Sequence, residues 1–429
     1  MKKWIALLLA VLTALSCLTG CGAQTTDPAP AEQTTENTDT QQPTKEENTP
    51  AAEPVTITVW HDGDEAIMQT IADQVNAQLA EDNITVVFEK KSGMPDQLKL
   101  YGNDPVNGPD LYFYAHDTLG TFVAMDVVAP ITDVVDESVL SDFLPMTVQA
   151  GQLNGEQYLL PVYFETLAFI YNKDLWEGDI PATTEELYDY MVAHTDVSAG
   201  TYAVVNQHST AYNVSPYIYG FGGYIIDENA HPGLNDPNTI AAVEYNKKFA
   251  ALEADGDYNT VTTLFNEGKA AAIIGGPWLT SGIQEAGIDY GVAALSDIAL
   301  PNGSSLAPFS GVQSVGVLKT AAESKKDALA KVLTAIASPE VGIDLANKSG
   351  CAPANSLSYE DAGVTSNEMI LAIQKTASTA QPMPNIPEMN AMWGPAESFL
   401  VAVNKNGADV EQAANEQQAA AEQAITDMQ

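Results

Sequence analysis

The apolar positions change period twice within the first folded stretch of the chain. Residues 55–60 read Val-Thr-Ile-Thr-Val-Trp, the alternation of a strand with one buried face. From residue 66 to 80 the apolar set moves to spacing four, with Ile67, Ile71, Val75 and Leu79 on one face of a helix. Residues 84–88, Ile-Thr-Val-Val-Phe, return to a strand. This strand–helix–strand start predicts a sheet with parallel neighbours and a right-handed crossover. Further along, Thr183 with Glu186 forms a capping box that opens a helix. Asp236-Pro237 reads as an N-cap with proline at the first helical position, followed by the apolar face of Ile240, Val243 and Phe249. Ser338-Pro339-Glu340 repeats that device, and residues 408–428 form a closing helix with Val410, Ala414, Ala421 and Ile425 on one stripe. There is no internal repeat. The class is α/β, and 429 residues are enough for two lobes.

The N-terminal pattern is different. Lys2 and Lys3 precede an apolar run over residues 4–18, the length of a signal-peptide core and too short to span a bilayer comfortably. Leu18-Thr19-Gly20-Cys21 follows, small residues before a cysteine, as in a lipobox. The expectation is a lipoprotein signal peptide over 1–20, with Cys21 lipidated at the mature N-terminus. Residues 21–54 would then be the lipidated cysteine and an acidic tether, too polar to bury a core. As a random coil this tether spans roughly 30 Å. No later apolar run is long enough to cross a membrane, so attachment is expected through the lipid anchor only, on the outer face of the cytoplasmic membrane. Of three cysteines, Cys17 leaves with the signal and Cys21 carries lipid. Cys351 stands alone, is read as a small buried apolar residue, and leaves no intramolecular disulfide to form.

Charge and motif content exclude several functions. The formal charge is -40, and every one of the 17 basic residues is a lysine. Such a surface repels nucleic acid and anionic headgroups. No zinc-type Cys or His spacing, Walker loop, dinucleotide fingerprint or nucleophile elbow occurs, so neither metal nor cofactor is expected. Of five histidines, His61 and His116 adjoin an acid, Asp62 and Asp117. A His–Asp pair can belong to a catalytic or metal site, but it is more often a local hydrogen-bonding unit. Among 57 carboxylates, a pair at glycosidase spacing carries little information.

Aromatic and polar residues instead recur together at expected loop ends. They occur in residues 60–65, 112–117 and 163–165, at Tyr212, Tyr217, Tyr219 and Phe221, and around Trp278 and Trp393. A neutral sugar asks for this mixture. Its C–H face lies on an aromatic ring, and its hydroxyls need donors and acceptors, with carboxylates making the stronger bonds. Composition alone leads to an exported α/β protein with groups suited to carbohydrate.

At these segments the sequence resembles the maltose/maltodextrin-binding proteins, within the extracellular solute-binding proteins of ABC transporters. Gly108-Pro109-Asp110 with Ala115-His116-Asp117 is similar to that family's first-lobe motif. Asn154-Gly155-Glu156, Leu160-Pro161, Glu165 and Ile170-Tyr171-Asn172-Lys173-Asp174-Leu175 match the first crossover. Gly222-Gly223-Tyr224, Phe265-Asn266-Glu267-Gly268-Lys269-Ala270 and Gly276-Pro277-Trp278 follow in order. The most specific stretch is Met383-Pro384-Asn385-Ile386-Pro387-Glu388-Met389, ending at Trp393.

The resemblance covers nearly all of residues 55–429. It implies a type II periplasmic-binding-protein-like fold: two α/β lobes joined by hinge strands, with ligand in the cleft. Lobe 1 would comprise 55–164 plus 312–365, and lobe 2 165–311 plus 366–429. Crossings are expected near 163–168 and 309–315, with a third near 365. The ligand-binding residues it implies are Asp62, Asp64, Glu65, Tyr114, Asp117, Glu165, Tyr212, Trp278 and Trp393. The sequence departs from the family pattern at Glu65, Thr118, Gly394 and Glu397, which together remove cationic donors and one ring. The implied function is non-enzymatic: a monomeric receptor captures maltose or maltooligosaccharides by hinge closure and delivers them to ABC transporter permease subunits. Another oligosaccharide, a peptide or a polyamine on the same fold, and an exported glycoside hydrolase, are the alternatives.

Overall fold

The computed structural model describes residues 54–428; the signal segment, Cys21 and residues 22–53 of the expected tether lie outside the described residues. The first elements follow the periodicity. Strand β1 (Val55–His61) leads into helix α1 (Glu65–Gln78) and strand β2 (Ile84–Lys90). Strand β3 (Leu111–Ala115) comes next, and β1 pairs in parallel with both β2 and β3. Ile67, Ile71 and Val75 of α1 are buried against this sheet, as their spacing predicts.

The next strands join two sheets. Every residue of β4 (Leu159–Thr166) is buried, and after Leu167 the chain enters β5 (Ala168–Asn172). A strand buried on both faces has no alternation to read. Helix α2 (Thr184–His194), strand β6 (Tyr202–Val205), helix α3 (Ala211–Gly220) and helix α4 (Pro237–Phe249) lead to strand β7 (Ala270–Gly275), helix α5 (Thr280–Glu285) and strand β8 (Tyr290–Ala294). Strand β9 (Phe309–Leu318) returns antiparallel to β3 and β4, with a register shift between Gln313 and Ser314.

Among the described residues the first sheet has eight strands. Its main path is Ala352–Pro353, β4, β9, β3, β1, β2, with the short strands Val128–Ala129 and Gln381–Pro382 also on β9. The second has four, in the order β8, β5, β7, β6. The chain therefore passes from the first sheet to the second after β4 and returns between β8 and β9, giving a two-lobed α/β molecule. Helix α6 (Pro339–Ser349), helix α7 (Glu368–Thr376), helix α8 (Pro387–Asn404) and helix α9 (Val410–Thr426) complete it. Val410, Ala414, Ala421 and Ile425 of α9 are buried as expected.

Helix starts agree with the sequence in position and differ in chemistry. Thr183 accepts the Glu186 amide, but Glu186 accepts from the Ala182 N–H at 2.9 Å, so the box is reciprocal with a different residue. Asp236 caps α4 through the Asn238 amide. Ser338 makes no capping bond; its hydroxyl accepts from Gln78 Nε2 at 2.9 Å and ties α6 to α1. The aromatic segments expected at loop ends are partly on regular elements. Tyr212, Tyr217 and Tyr219 lie on α3, where Tyr217 is core, and Trp393 lies within α8. Cys351 is free and fully buried.

Candidate ligand-binding site

Each predicted acid sits where a strand ends or crosses. After β1 the chain turns at Asp62 and Gly63 and starts α1 at Asp64. The Asp64 Oδ1 accepts the Ala66 and Ile67 amides at 2.8 and 3.2 Å, which caps the helix. Its Oδ2 accepts the Ser281 hydroxyl of α5 at 2.9 Å. Glu65 is exposed and 3.9 Å from Lys90. At the end of β3, the Tyr114 hydroxyl donates to Asp62, whose carboxyl is nevertheless raised by desolvation.

The turn after β3 holds His116 and Asp117, and the two have separate tasks. The Val312 amide donates to His116 Nδ1 at 3.1 Å, which leaves Nε2 to donate to the Met383 carbonyl at 3.0 Å. Burial lowers its pKa to about 4. His116 is thus a neutral pin joining β3, the crossing strand β9 and the segment before α8. Asp117 points elsewhere and accepts the Trp393 indole N–H. Burial pushes its carboxyl up to about 7 even though that bond favours the charged form. Glu165, near the crossing end of β4, accepts Gln313 Nε2 at 2.7 Å and is pushed up to about 7 by burial.

The rings come from the helices. Tyr212, in the first turn of α3, packs edge-on to Trp278 at 6.0 Å and tilted on Phe309 at 6.3 Å. Trp393 packs edge-on with Phe309 at 6.0 Å. Both tryptophans are only partly buried, so each keeps surface for a ligand. The Tyr212 hydroxyl is buried and has no hydrogen-bond partner among the described residues.

The structure brings Tyr114, Asp117, Glu165, Tyr212 and Trp393 together around one cavity of about 300 Å³. Asp64, Glu65 and Trp278 line a second, of about 240 Å³. The Tyr212–Trp278 contact joins the two walls. Asp62 lines neither cavity and is linked to the first through Tyr114. A larger cavity of about 540 Å³, lined by His116, Met146, Asn154, Met383 and Asn385 among others, holds none of the predicted contacts.

Asn390 and Glu397 of the first cavity were not among the predicted contacts. With Trp393 they fall at positions 390, 393 and 397, one face of a helix. That spacing identifies them once Trp393 is placed on a helix and not in a loop. Gln313 and Ser281 carry no sequence signal, because strand register and the approach of α5 put them there.

Chemically the site offers aromatic faces, two carboxyls that donate or accept near neutral pH, and an unspent phenol. Aromatic faces and carboxyls of this kind are the groups that stack on and hydrogen-bond an uncharged polyhydroxylated molecule. Two sheets joined by crossing strands, with a cavity lined from both sides, define a two-lobed solute-binding protein. Residues 70–372 match the family described as bacterial extracellular solute-binding protein, and the chain belongs to that family.

Relatives agree in kind and differ in ligand. The chain is 30% identical to a maltotriose-binding protein of Pyrococcus abyssi (83% of this chain, 79% of that one). It is 31% identical to a galactooligosaccharide-binding protein of Bacillus subtilis (83% and 86%). A maltooligosaccharide ABC transporter solute-binding lipoprotein of Streptococcus pneumoniae is 28% identical (78% and 83%). Among solved structures, a cyclo/maltodextrin-binding protein complexed with maltotetraose superposes with a TM-score of 0.73 at 26% identity, covering 87% of this chain and 98% of the other.

Proposed function

We propose that this protein is a lipid-anchored extracellular receptor for maltose and short maltodextrins, which it hands to the permease subunits of an ABC importer. The observation that carries the reading is the buried Tyr212 hydroxyl, unpartnered among the described residues, in one cavity with Asp117, Glu165 and Trp393. A buried hydroxyl without a partner is costly, and a sugar hydroxyl would satisfy it. The relatives named for maltooligosaccharides support the α-glucan choice.

In this reading lobe 1 is 55–164 plus 312–365 and lobe 2 is 165–311 plus 366–429. Asp62, Asp64, Glu65, Tyr114, Asp117, Glu165, Tyr212, Trp278 and Trp393 contact the sugar. Ligand bound to both lobes favours the closed form, and that form docks on the permease. Attachment through Cys21 on the outer membrane face agrees with the pneumococcal lipoprotein, and the protein acts as a monomer.

A second reading keeps the fold and takes a galactooligosaccharide, favoured by the 31% identical relative. Isothermal titration of residues 55–429 with maltotriose, a β-linked galactotriose, cellotriose and spermidine separates them. The expected result is saturable heat at micromolar concentration with maltotriose, about -8 kcal/mol. Trp393→Ala and Trp278→Ala should each lose roughly 2–4 kcal/mol, the scale of a binding hot spot. Heat with galactotriose alone would move the protein to the second reading, and unchanged isotherms for both tryptophan variants would remove the site assignment.

A further inference from the structure

The Asp64–Ser281 hydrogen bond is a direct contact between the two sides of the molecule, between the N-terminus of α1 on the first sheet and the first turn of α5 beside the second. Its acid cannot swing away freely, because Oδ1 is held by the two amides that start α1. Ser281 rides on a helix whose Leu279 and Ile283 flanks are buried. Both partners are therefore positioned by packed elements. Around the bond Glu65, Tyr258, Trp278 and Glu285 wall the small second cavity, and Trp278 leads from there through its Tyr212 contact toward the larger one.

A sugar ring held between two walls needs about 7 Å, two van der Waals contacts of roughly 3.5 Å each. At Ser281 the two sides touch through a 2.9 Å hydrogen bond, so no ring passes through that point while the bond is made. The Trp278–Tyr212 contact places this bridge at the far side of the second cavity from Trp393.

We propose that Ser281, by bridging to Asp64, closes one end of the binding cleft and makes this receptor select linear chains with a free end over cyclic glucans. The inference rests on the α-glucan reading above. A linear chain can end against the bridge while the two sides close. A macrocycle has no end, so it has to hold Ser281 and Asp64 apart and forgo the contact. Ser281 is a specificity-determining residue in this sense, acting through the contact between the two sides that this structure already makes.

The test uses wild type and Ser281→Ala, titrated with maltotriose and with the cyclic heptamer of α-1,4-linked glucose, together with small-angle scattering of each ligand-free protein. The Ser281 hydroxyl makes no other side-chain hydrogen bond, so the variant should melt like wild type. Wild type should bind maltotriose at least tenfold more tightly than the cyclic heptamer, and Ser281→Ala should reduce that ratio about tenfold, the scale of one charge-assisted hydrogen bond. Its ligand-free scattering should show a larger radius of gyration. Equal affinity of wild type for the two sugars, or a ratio unchanged in Ser281→Ala, overturns the proposal. If neither sugar binds, the α-glucan reading has failed on its own, and the scattering decides the bridge: a larger variant supports it and identical curves overturn it.

Discussion

Asp117 and Glu165 are the residues whose surroundings differ most from those of an ordinary surface carboxylate. Both are buried, and burial, with a smaller contribution from the nearby Asp62 charge, pushes each up to about 7. The sign of the resulting pH dependence follows from linkage. Between the unfolded carboxylate range and about 7 the native state binds more protons than the unfolded chain, so these acids make stability fall as pH rises through that window. His116, lowered to about 4, acts in the opposite sense below its ordinary value, as a group that the unfolded chain protonates first. A bare pH–stability curve therefore mixes the two. Asp117→Asn isolates the acid: the variant's stability relative to wild type should rise steadily from pH 4 to 7 and level off above. Denaturant melts at matched pH read this difference. A flat difference would mean that Asp117 is already ionised in the native protein. His116→Ala makes a second residue-scale prediction. It strands the Val312 amide and the Met383 carbonyl together, and should cost about 2–4 kcal/mol in the same melts.

At the scale of elements, helix starts that look alike in sequence should respond differently. Asp236→Ala removes a side chain that accepts the Asn238 amide at 2.8 Å, and should destabilise by about 1 kcal/mol. Ser338→Ala removes no cap, only an exposed bond from Gln78, and should cost less than about 0.5 kcal/mol. Urea titration of the two variants side by side checks this, and equal losses would contradict the capping geometry. The comparison also shows what was legible in the sequence. Period and cap residues located β1, α1, β2 and α9 to within a few residues, because each has one wet and one dry face. They were silent on β4, which is dry on both faces, and on whether a serine before proline turns its hydroxyl to the helix or to a neighbour. For the site, the aromatic and acidic residues stood out by type. Glu397 stood out only as a departure from the family pattern, and Asn390 not at all, since the stretch from Met383 to Trp393 reads as a proline-rich loop until Pro387 is recognised as the first residue of α8.

At the scale of the whole molecule, the two sheets are not independently cored. One apolar cluster takes Phe164 from β4 and Val312 from β9 together with Ile170 from β5, Ile273 from β7, and Ile370 and Ile373 from α7. Strands of both sheets thus bury side chains in common. Unfolding one side would strip apolar cover from the other, and hydrophobic burial is the main favourable term either side has. Phe309 strengthens the link, since this β9 residue packs against Tyr212, Tyr219 and Trp393 from two different helices. The expectation is a single calorimetric transition despite two sheets. A ligand that touches Tyr114 and Asp117 on one side and Tyr212 on the other binds only the folded whole. At a free concentration of 100 times its dissociation constant it should add about 2.7 kcal/mol and raise the entire transition as one peak. Scanning calorimetry with and without maltotriose reads both points. Two resolved peaks, of which maltotriose moves only one, would mean that the sheets unfold separately and that the sugar is held by one side of the cavity alone.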